Sequence, residues 1–139
     1  MPFVSTPVEI DGKRYLDGAI SDSIPYEWMK KQGMDKIVVV LTQEESYVKK
    51  PFPKLLVNAS LRKYPMAAKA LNHRHIMYNE QAERVRAAGK NGEAFVILPS
   101  VPIHIKKLER DKDKLQATYD LGIKDATAVV HKLQAFIAE

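Results

Sequence analysis

A tight-turn dipeptide, Asp11-Gly12, sets the conformation expected at the start of this chain. Asp-Gly between two short alternating runs is a strong sequence signal for a β-hairpin, so Val8–Ile10 and Arg14–Leu16 are predicted to be its strands. The second strand runs directly into Asp17. The hairpin is therefore expected to deliver a carboxylate to the end of a strand.

The position of Asp17 is compatible with two roles. The following residue, Gly18, has no side chain and can adopt a positive φ, so the backbone can turn sharply and another group can approach closely. A carboxylate held there can accept a proton from a neighbouring nucleophile, provided that it is partly desolvated so that its basicity rises. Asp-Gly is also common where the aspartate only caps or hydrogen-bonds a turn. The local pattern leaves both roles open.

The residues around Asp17 resemble the patatin-like phospholipase family. The resemblance is carried by Pro2-Phe3-Val4, the run Pro7–Ala19, Ser21-Asp22-Ser23-Ile24-Pro25 and the run Gly33–Thr42. The remainder is more loosely similar to the C-terminal portion of bacterial members. The resemblance implies that Asp17 is the aspartate of a Ser-Asp dyad, and that Gly18 and Ala19 complete its Asp-Gly-Ala motif.

The resemblance also implies a fold and an activity. The implied fold is α/β, the C-terminal portion of a three-layer α/β/α fold whose mostly parallel sheet has flanking helices. The family's glycine-rich oxyanion loop and its Gly-x-Ser-x-Gly nucleophile elbow precede this motif, and neither occurs in these 139 residues. The chain is therefore expected to be a piece of a longer serine-dependent lipid acyl hydrolase, inactive alone, with Asp17 as base and the serine upstream.

An acyl-ester lipid is the substrate that this resemblance implies, with no metal and no organic cofactor. The alternative is a non-catalytic binding or interaction domain that kept the scaffold. An upstream nucleophile elbow and oxyanion loop would favour the enzyme, whereas their absence would favour the binding domain.

Hydrophobic patterning predicts one domain in two parts. Residues 1–45 hold the segment with Asp17, a helix capped by Ser23 and ended by Gly33, and a strand at Ile37–Leu41 that reads as buried on both faces. Residues 46–139 are expected to be mainly helical, with one further strand. The first two predicted helices there are Lys54–Lys63 and 66–88, and the predicted strand, Ala94–Leu98, follows them. A third helix is predicted from Asp111 to about Tyr119, with its end near Gly122, and a fourth from beyond Gly122 to the C-terminus.

Two of the predicted helices carry an apolar stripe. On the longer one the stripe consists of Leu71, Tyr78, Ala82 and Val85; on the last one it consists of Ile123, Ala126, Val130, Leu133 and Ile137. The two strand patterns read as interior strands of a sheet whose neighbouring strands lie upstream. Since the unpaired backbone groups of an open strand edge can pair with another chain, the isolated piece is expected to form a homo-oligomer or a strand-paired assembly.

The remaining polar residues offer no second catalytic or metal site. His73 and His75 are two apart, and residues two apart on a helix do not face each other. His104 and His131 are isolated in sequence. The six serines all lack a Gly-x-Ser-x-Gly context; they are Ser5, Ser21, Ser23, Ser46, Ser60 and Ser100.

Positive charge is concentrated in one stretch. The chain has a net charge of +5, and the stretch 46–79 contains seven lysines and arginines but no aspartate or glutamate. Three interpretations are open: a solvated helical face, attraction to anionic lipid or phosphate head groups, and nucleic-acid binding. Tyr47, Phe52 and Tyr64 could lie at a lipid interface. A nucleic-acid partner is not predicted, because no binding motif accompanies the charge.

Three features of the sequence bear on the compartment. The chain has no cysteine, no signal peptide is visible, and no apolar run approaches the ~20 residues that span a bilayer. A cytoplasmic location, peripheral to a membrane, is the expectation. The resemblance begins in the middle of a family pattern, so the true N-terminus is expected to lie further upstream.

Overall fold

The structure is a computed structural model that describes residues 7–106 and 108–138. Within them, unit 1 comprises residues 7–25 and Val48–Arg84, and unit 2 comprises Tyr26–Tyr47 and the described residues from Val85 onward. In chain order the elements are β1 (Val8–Ile10), β2 (Lys13–Tyr15), a 3₁₀ turn (Gly18–Ile20), α1 (Tyr26–Lys31), β3 (Val38–Val40), α2 (Lys54–Ser60), α3 (Pro65–Lys90), β4 (Phe95–Ile97) and α4 (Lys112–Ala138).

The expected mostly parallel, three-layer α/β/α fold is wrong for the described residues. They contain four α-helices and two two-stranded sheets, of which β1–β2 is antiparallel and β3–β4 is parallel. The tight turn folds β1 back onto β2, so only β3 and β4 are left to form a parallel sheet. Most of the other described residues are helical, and a pair of three-residue strands cannot form the middle layer of such a fold.

The predicted hairpin is confirmed, although its second strand is Lys13–Tyr15, one residue earlier than predicted. Val8 pairs with Tyr15 and Ile10 pairs with Lys13, which leaves the two turn residues between the strands. Asp11 has φ 49° and Gly12 has φ 72°, so both central residues are in the left-handed region. This is the requirement of a two-residue turn whose twist matches that of its strands.

Unit 1 has its core between α2, α3 and the 3₁₀ turn. The buried residues that form this core are Ile20, Val57, Leu61, Ala68 and Leu71, with Leu16, Phe52 and Tyr64 packed at its edge. On α3 the predicted apolar face is confirmed, since Leu71, Tyr78, Ala82 and Val85 are all buried. Ile20 belongs to the core and lies three residues after Asp17, so the core anchors the turn that carries the candidate site.

Unit 2 contains α1, the β3–β4 pair and α4. Val39 pairs with Val96, and α4 packs on β4 through Phe136, whose ring centroid lies 5.7 Å from that of Phe95. Asp111 caps α4 as predicted, because its Oδ1 accepts the backbone N–H groups of Asp113 and Lys114 at 3.0 and 3.3 Å.

Two predicted helix boundaries are wrong. Helix α4 continues through Gly122, because one interior glycine costs only about 1 kcal/mol. Helix α1 begins at Tyr26, and the Ser23 hydroxyl donates to the Ala19 carbonyl oxygen at 2.7 Å instead of capping the helix. The predicted end at Gly33 is confirmed by its φ of 76°, which glycine adopts without strain.

Burial in unit 2 also differs from the prediction. Val40 is 67% exposed and Val38 is exposed as well, so β3 is not buried on both faces among the described residues. On α4 no described residue is buried, and four of the five residues of the apolar stripe are exposed, with Ile137 at 58%, whereas Leu133 is half-buried. The outer edge of β3 pairs with no described strand. The expected homo-oligomer or strand-paired assembly stays a prediction.

Two helical glycines are expected to respond oppositely to alanine. A Cβ at Gly89 would lie 2.8 Å from Val96 Cγ2, whereas a Cβ at Gly122 would meet nothing within 4 Å. Gly89→Ala should lower the free energy of unfolding by about 1–3 kcal/mol, because β4 is held in place by β3. Gly122→Ala should raise it by about 1 kcal/mol through helix propensity. Urea unfolding followed by circular dichroism measures both; changes of the same sign would contradict the packing argument.

Candidate functional site

Asp17 lies at the junction between the hairpin and the 3₁₀ turn of unit 1. Its side chain is exposed, and its Oδ1 accepts the backbone N–H of Ala19 at 2.9 Å. Its own carbonyl accepts the N–H of Ile20 at 3.1 Å. Asp17 is therefore the N-cap of the turn, as expected of a short acceptor side chain at a helix start. The capping role that the sequence left open is thus present, and it does not exclude the catalytic one.

The hydrogen bond from the Ala19 N–H lowers the pKa of the Asp17 carboxyl below its ordinary value. A slight desolvation of the carboxyl raises this pKa, and the positive charge of Arg74 lowers it. The net direction is downward, opposite to the rise in basicity expected from desolvation. The carboxylate is consequently ionised at neutral pH, which is the state in which it can accept a proton.

Arg74, on α3, holds the turn that carries Asp17. Its Nε donates to the carbonyl oxygen of Ala19 at 2.7 Å and to the hydroxyl of Ser23 at 3.3 Å. A guanidinium bonded to a backbone carbonyl fixes the main chain more firmly than a neutral donor would. Ala19 thus connects the two interactions, because its N–H meets Asp17 and its carbonyl meets Arg74.

A second α3 side chain, Gln81, hydrogen-bonds to the residues that follow the 3₁₀ turn. Its Oε1 accepts the N–H of Ile24 at 3.1 Å, and its Nε2 donates to Asp22 Oδ1 at 2.6 Å. Sequence reasoning did not select Arg74 or Gln81, and Arg74 is only one of several positive charges in the basic stretch. Their seven-residue spacing, about two helical turns, was the one available sign that both lie on one face of α3.

Gly18 and Ala19 of the expected motif do lie beside Asp17. Gly18 is outside the left-handed region, and a Cβ built on it would meet nothing within 4 Å among the described residues. Ala19 supplies backbone groups only. The described part of the chain therefore imposes no need for glycine at position 18.

The two serines that follow the motif donate their hydroxyl hydrogen bonds to nearby backbone carbonyls. Ser21 Oγ donates to the carbonyl of Gly18 at 3.2 Å, and Ser23 Oγ donates to that of Ala19 at 2.7 Å. Neither proton is directed at the Asp17 carboxylate. Their geometry is that of hydroxyls that stabilise a turn.

The two clustered histidines, His73 and His75, both lie on α3. Within residues 7–106 and 108–138, no group of three or more histidine, cysteine, aspartate or glutamate side chains could hold a metal ion. In the same part of the chain, none of the helices has the length and apolarity needed to cross a bilayer.

Comparison with known proteins gives two matches. The family described as "Domain of unknown function (DUF6363)" matches residues 64–138, which contain α3, β4 and α4. "Uncharacterized protein YjjU" of Escherichia coli (strain K12) is 28% identical over 125 residues, covering 86% of this chain and 34% of that protein. The chain thus spans about a third of the length of this curated relative. No solved structure matches the chain.

Proposed function

The chain belongs to the DUF6363 family of domains of unknown function, and we propose that it carries the general base of a serine-dependent lipid acyl hydrolase. The proposed enzyme is a bacterial carboxylic ester hydrolase of the patatin-like phospholipase type. One observation carries the proposal: Asp17, the aspartate of the Asp-Gly-Ala motif, follows β2 by two residues and caps a turn that Arg74 clamps to α3.

The proposed chemistry needs no histidine between the serine and the aspartate. The Asp17 carboxylate takes the serine proton as the serine oxygen attacks the acyl carbonyl. The proton then passes to the departing alcohol, and the acyl group stays on the serine as an ester. In the second half Asp17 takes a proton from water, which attacks that ester; the fatty acid leaves and the serine recovers its proton.

Clamping the turn matters because general-base catalysis depends on geometry. A base must lie within hydrogen-bond reach of the proton that it removes, about 2.6–3.2 Å between heavy atoms. The two contacts of Ala19 restrict how far the Asp17 backbone can move relative to α3. Within this proposal Arg74 is a positioning residue.

The experiment that tests this function compares the 139-residue chain with the longer protein that contains it. The longer protein should hydrolyse p-nitrophenyl acyl esters and should be labelled by a fluorophosphonate, which reacts with activated serines. The isolated chain should do neither, since missing oxyanion donors alone cost ~10²–10³ in rate and a carboxylate by itself forms no acyl-enzyme.

Either of two results would overturn the proposal. A longer protein without esterase turnover and without labelling would favour the non-catalytic binding domain. Esterase activity that stays with the purified 139-residue chain would require a nucleophile among its own serines. Mass spectrometry of the labelled peptide identifies the serine in each case.

A further inference from the structure

Unit 1 exposes several cations in a stretch of sequence that contains no acidic residue. Lys54, Arg62 and Lys69 belong to the stretch 46–79, which has no aspartate or glutamate. None of the three makes an ion pair with any residue that the structure describes. Lys49, in the same stretch, is different, because its ammonium lies 4.2 Å from the centroid of the Tyr78 ring. Among the residues that the structure describes, these three cations around α2 and the start of α3 are therefore not neutralised by an ion pair.

The three cations line one groove between α2 and α3, with a volume of about 620 Å³. The apolar part of its lining includes Leu61 and Ala68, and His73 lies at its α3 side. The described residues that line the groove include no aspartate or glutamate. A groove lined in this way by several cationic side chains attracts anions, and the helices on both sides hold those charges close together.

Large apolar side chains are exposed beside this groove. Leu55 is 83% exposed on α2, and Met66 is 76% exposed in the first turn of α3. Met66 and Lys69 are three residues apart on one helix, so their side chains are neighbours on its surface. A single exposed apolar residue is ordinary. Here two exposed apolar side chains lie beside a groove lined by cations, and proteins that bind lipid surfaces combine apolar and cationic side chains in this way.

We propose that the α2–α3 face, defined here as Lys54, Leu55, Arg62, Met66 and Lys69, docks on the surface of an anionic phospholipid bilayer. The lysines and the arginine contact lipid phosphate and carboxylate groups in and around the groove. Leu55 and Met66 enter the boundary between the head groups and the acyl chains. This inference does not rest on the proposed hydrolase activity, because docking needs no ester cleavage.

The geometry favours a bilayer over a nucleic acid. Proteins that bind single strands without sequence preference stack bases on aromatic rings. Tyr64 is the aromatic residue between α2 and α3, and it packs on the unit 1 core while its hydroxyl accepts a hydrogen bond from Arg14 Nη1 at 3.0 Å. The apolar side chains that the face exposes, Leu55 and Met66, are aliphatic, and moving aliphatic side chains from water into lipid is favourable.

The test is co-sedimentation of the 139-residue chain with phosphatidylcholine vesicles that contain phosphatidylserine. Binding should weaken as sodium chloride screens the attraction. Lys54→Glu with Lys69→Glu should weaken binding at least about thirtyfold, since each basic residue near such a surface contributes about a fivefold factor. The matched control, Lys112→Glu with Lys124→Glu on α4, makes the same charge change in unit 2 and should change binding far less.

A second pair of substitutions separates a bilayer from other anions. Leu55→Ser with Met66→Ser leaves the charge intact and should weaken vesicle binding about tenfold or more. Circular dichroism and thermal unfolding check that all variants stay folded, as expected for exposed positions.

Three outcomes would overturn the proposal. The first is equal binding to pure phosphatidylcholine vesicles, unaffected by Lys54→Glu with Lys69→Glu. The second is an equal loss of vesicle binding in the α4 control variant, which would mean that only the net charge of the protein matters and not the α2–α3 face. The third is unchanged vesicle binding by the Leu55→Ser, Met66→Ser variant, together with loss of binding when inorganic phosphate or an oligonucleotide is added. That result would assign the groove to a free anion or to nucleic acid.

Discussion

In the longer hydrolase that we propose, Asp17→Asn should lower kcat for acyl esters by about 10²–10⁴-fold, the usual contribution of a positioned general base. Asparagine is nearly isosteric and its Oδ1 can still accept the Ala19 N–H, so the turn should stay folded. It cannot accept the serine proton. The loss should lie chiefly in kcat with little change in KM, as expected for an interaction that matters in the transition state.

Two comparisons make the Asp17→Asn result specific. Glu9→Gln removes another carboxylate of the same hairpin, whose 3.7 Å ion pair with Arg14 is exposed, and it should leave turnover unchanged. Asp17→Ala also removes the cap and should cost about 1 kcal/mol of stability in addition to activity. An Asp17→Asn protein that is folded by circular dichroism and keeps wild-type turnover would end the assignment of Asp17 as the base.

The lowered pKa of Asp17 also sets the direction of the pH dependence. The carboxylate must be unprotonated to act as a base, so activity should fall as the pH drops through its pKa. Because the Ala19 N–H holds the pKa of Asp17 below the ordinary aspartate value, that fall should come at lower pH than for an unperturbed carboxyl. The same depressed pKa stabilises the folded state at neutral pH, and this contribution is lost on acidification.

Leu71→Ala should be the most destabilising substitution in unit 1, at about 2–5 kcal/mol. Leu71 is 1% exposed on α3 and packs in the cluster with Ile20, Val57, Leu61 and Ala68. Truncation removes buried methyl groups and leaves a cavity that helices on both sides cannot close fully. Urea unfolding measures the loss.

The matched control for Leu71→Ala is Leu56→Ala, at an exposed position on α2. Its free energy of unfolding should stay within about 0.5 kcal/mol of wild type. Because Ile20 belongs to the same cluster, Leu71→Ala should also loosen the turn after Asp17. Faster amide exchange of Ala19 in the variant would report that loosening. Equal stability of the two variants would mean that the unit 1 core is not where the structure places it.

Local features of this protein could be predicted from the sequence. The hairpin follows from Asp11-Gly12, because a two-residue turn with positive φ at both positions suits these residue types. The buried face of α3 follows from the 3.6-residue spacing of its apolar residues, and the start of α4 follows from the capping carboxylate of Asp111. Each of these depends on residues close together in the chain, whose energetics are nearly independent of the rest.

Which surfaces are covered was decided only by the tertiary structure. The valines of β3 and the stripe of α4 have the pattern of buried elements, yet most of these side chains are exposed and none is buried, because a pattern specifies a face and not what packs against it. The fold class was wrong for the same reason, since a sheet needs partner strands that the described chain does not supply. Likewise Arg74 and Gln81 reach the turn after Asp17 across more than fifty residues of sequence, and only the packing of α3 brings these long-range hydrogen-bond partners together.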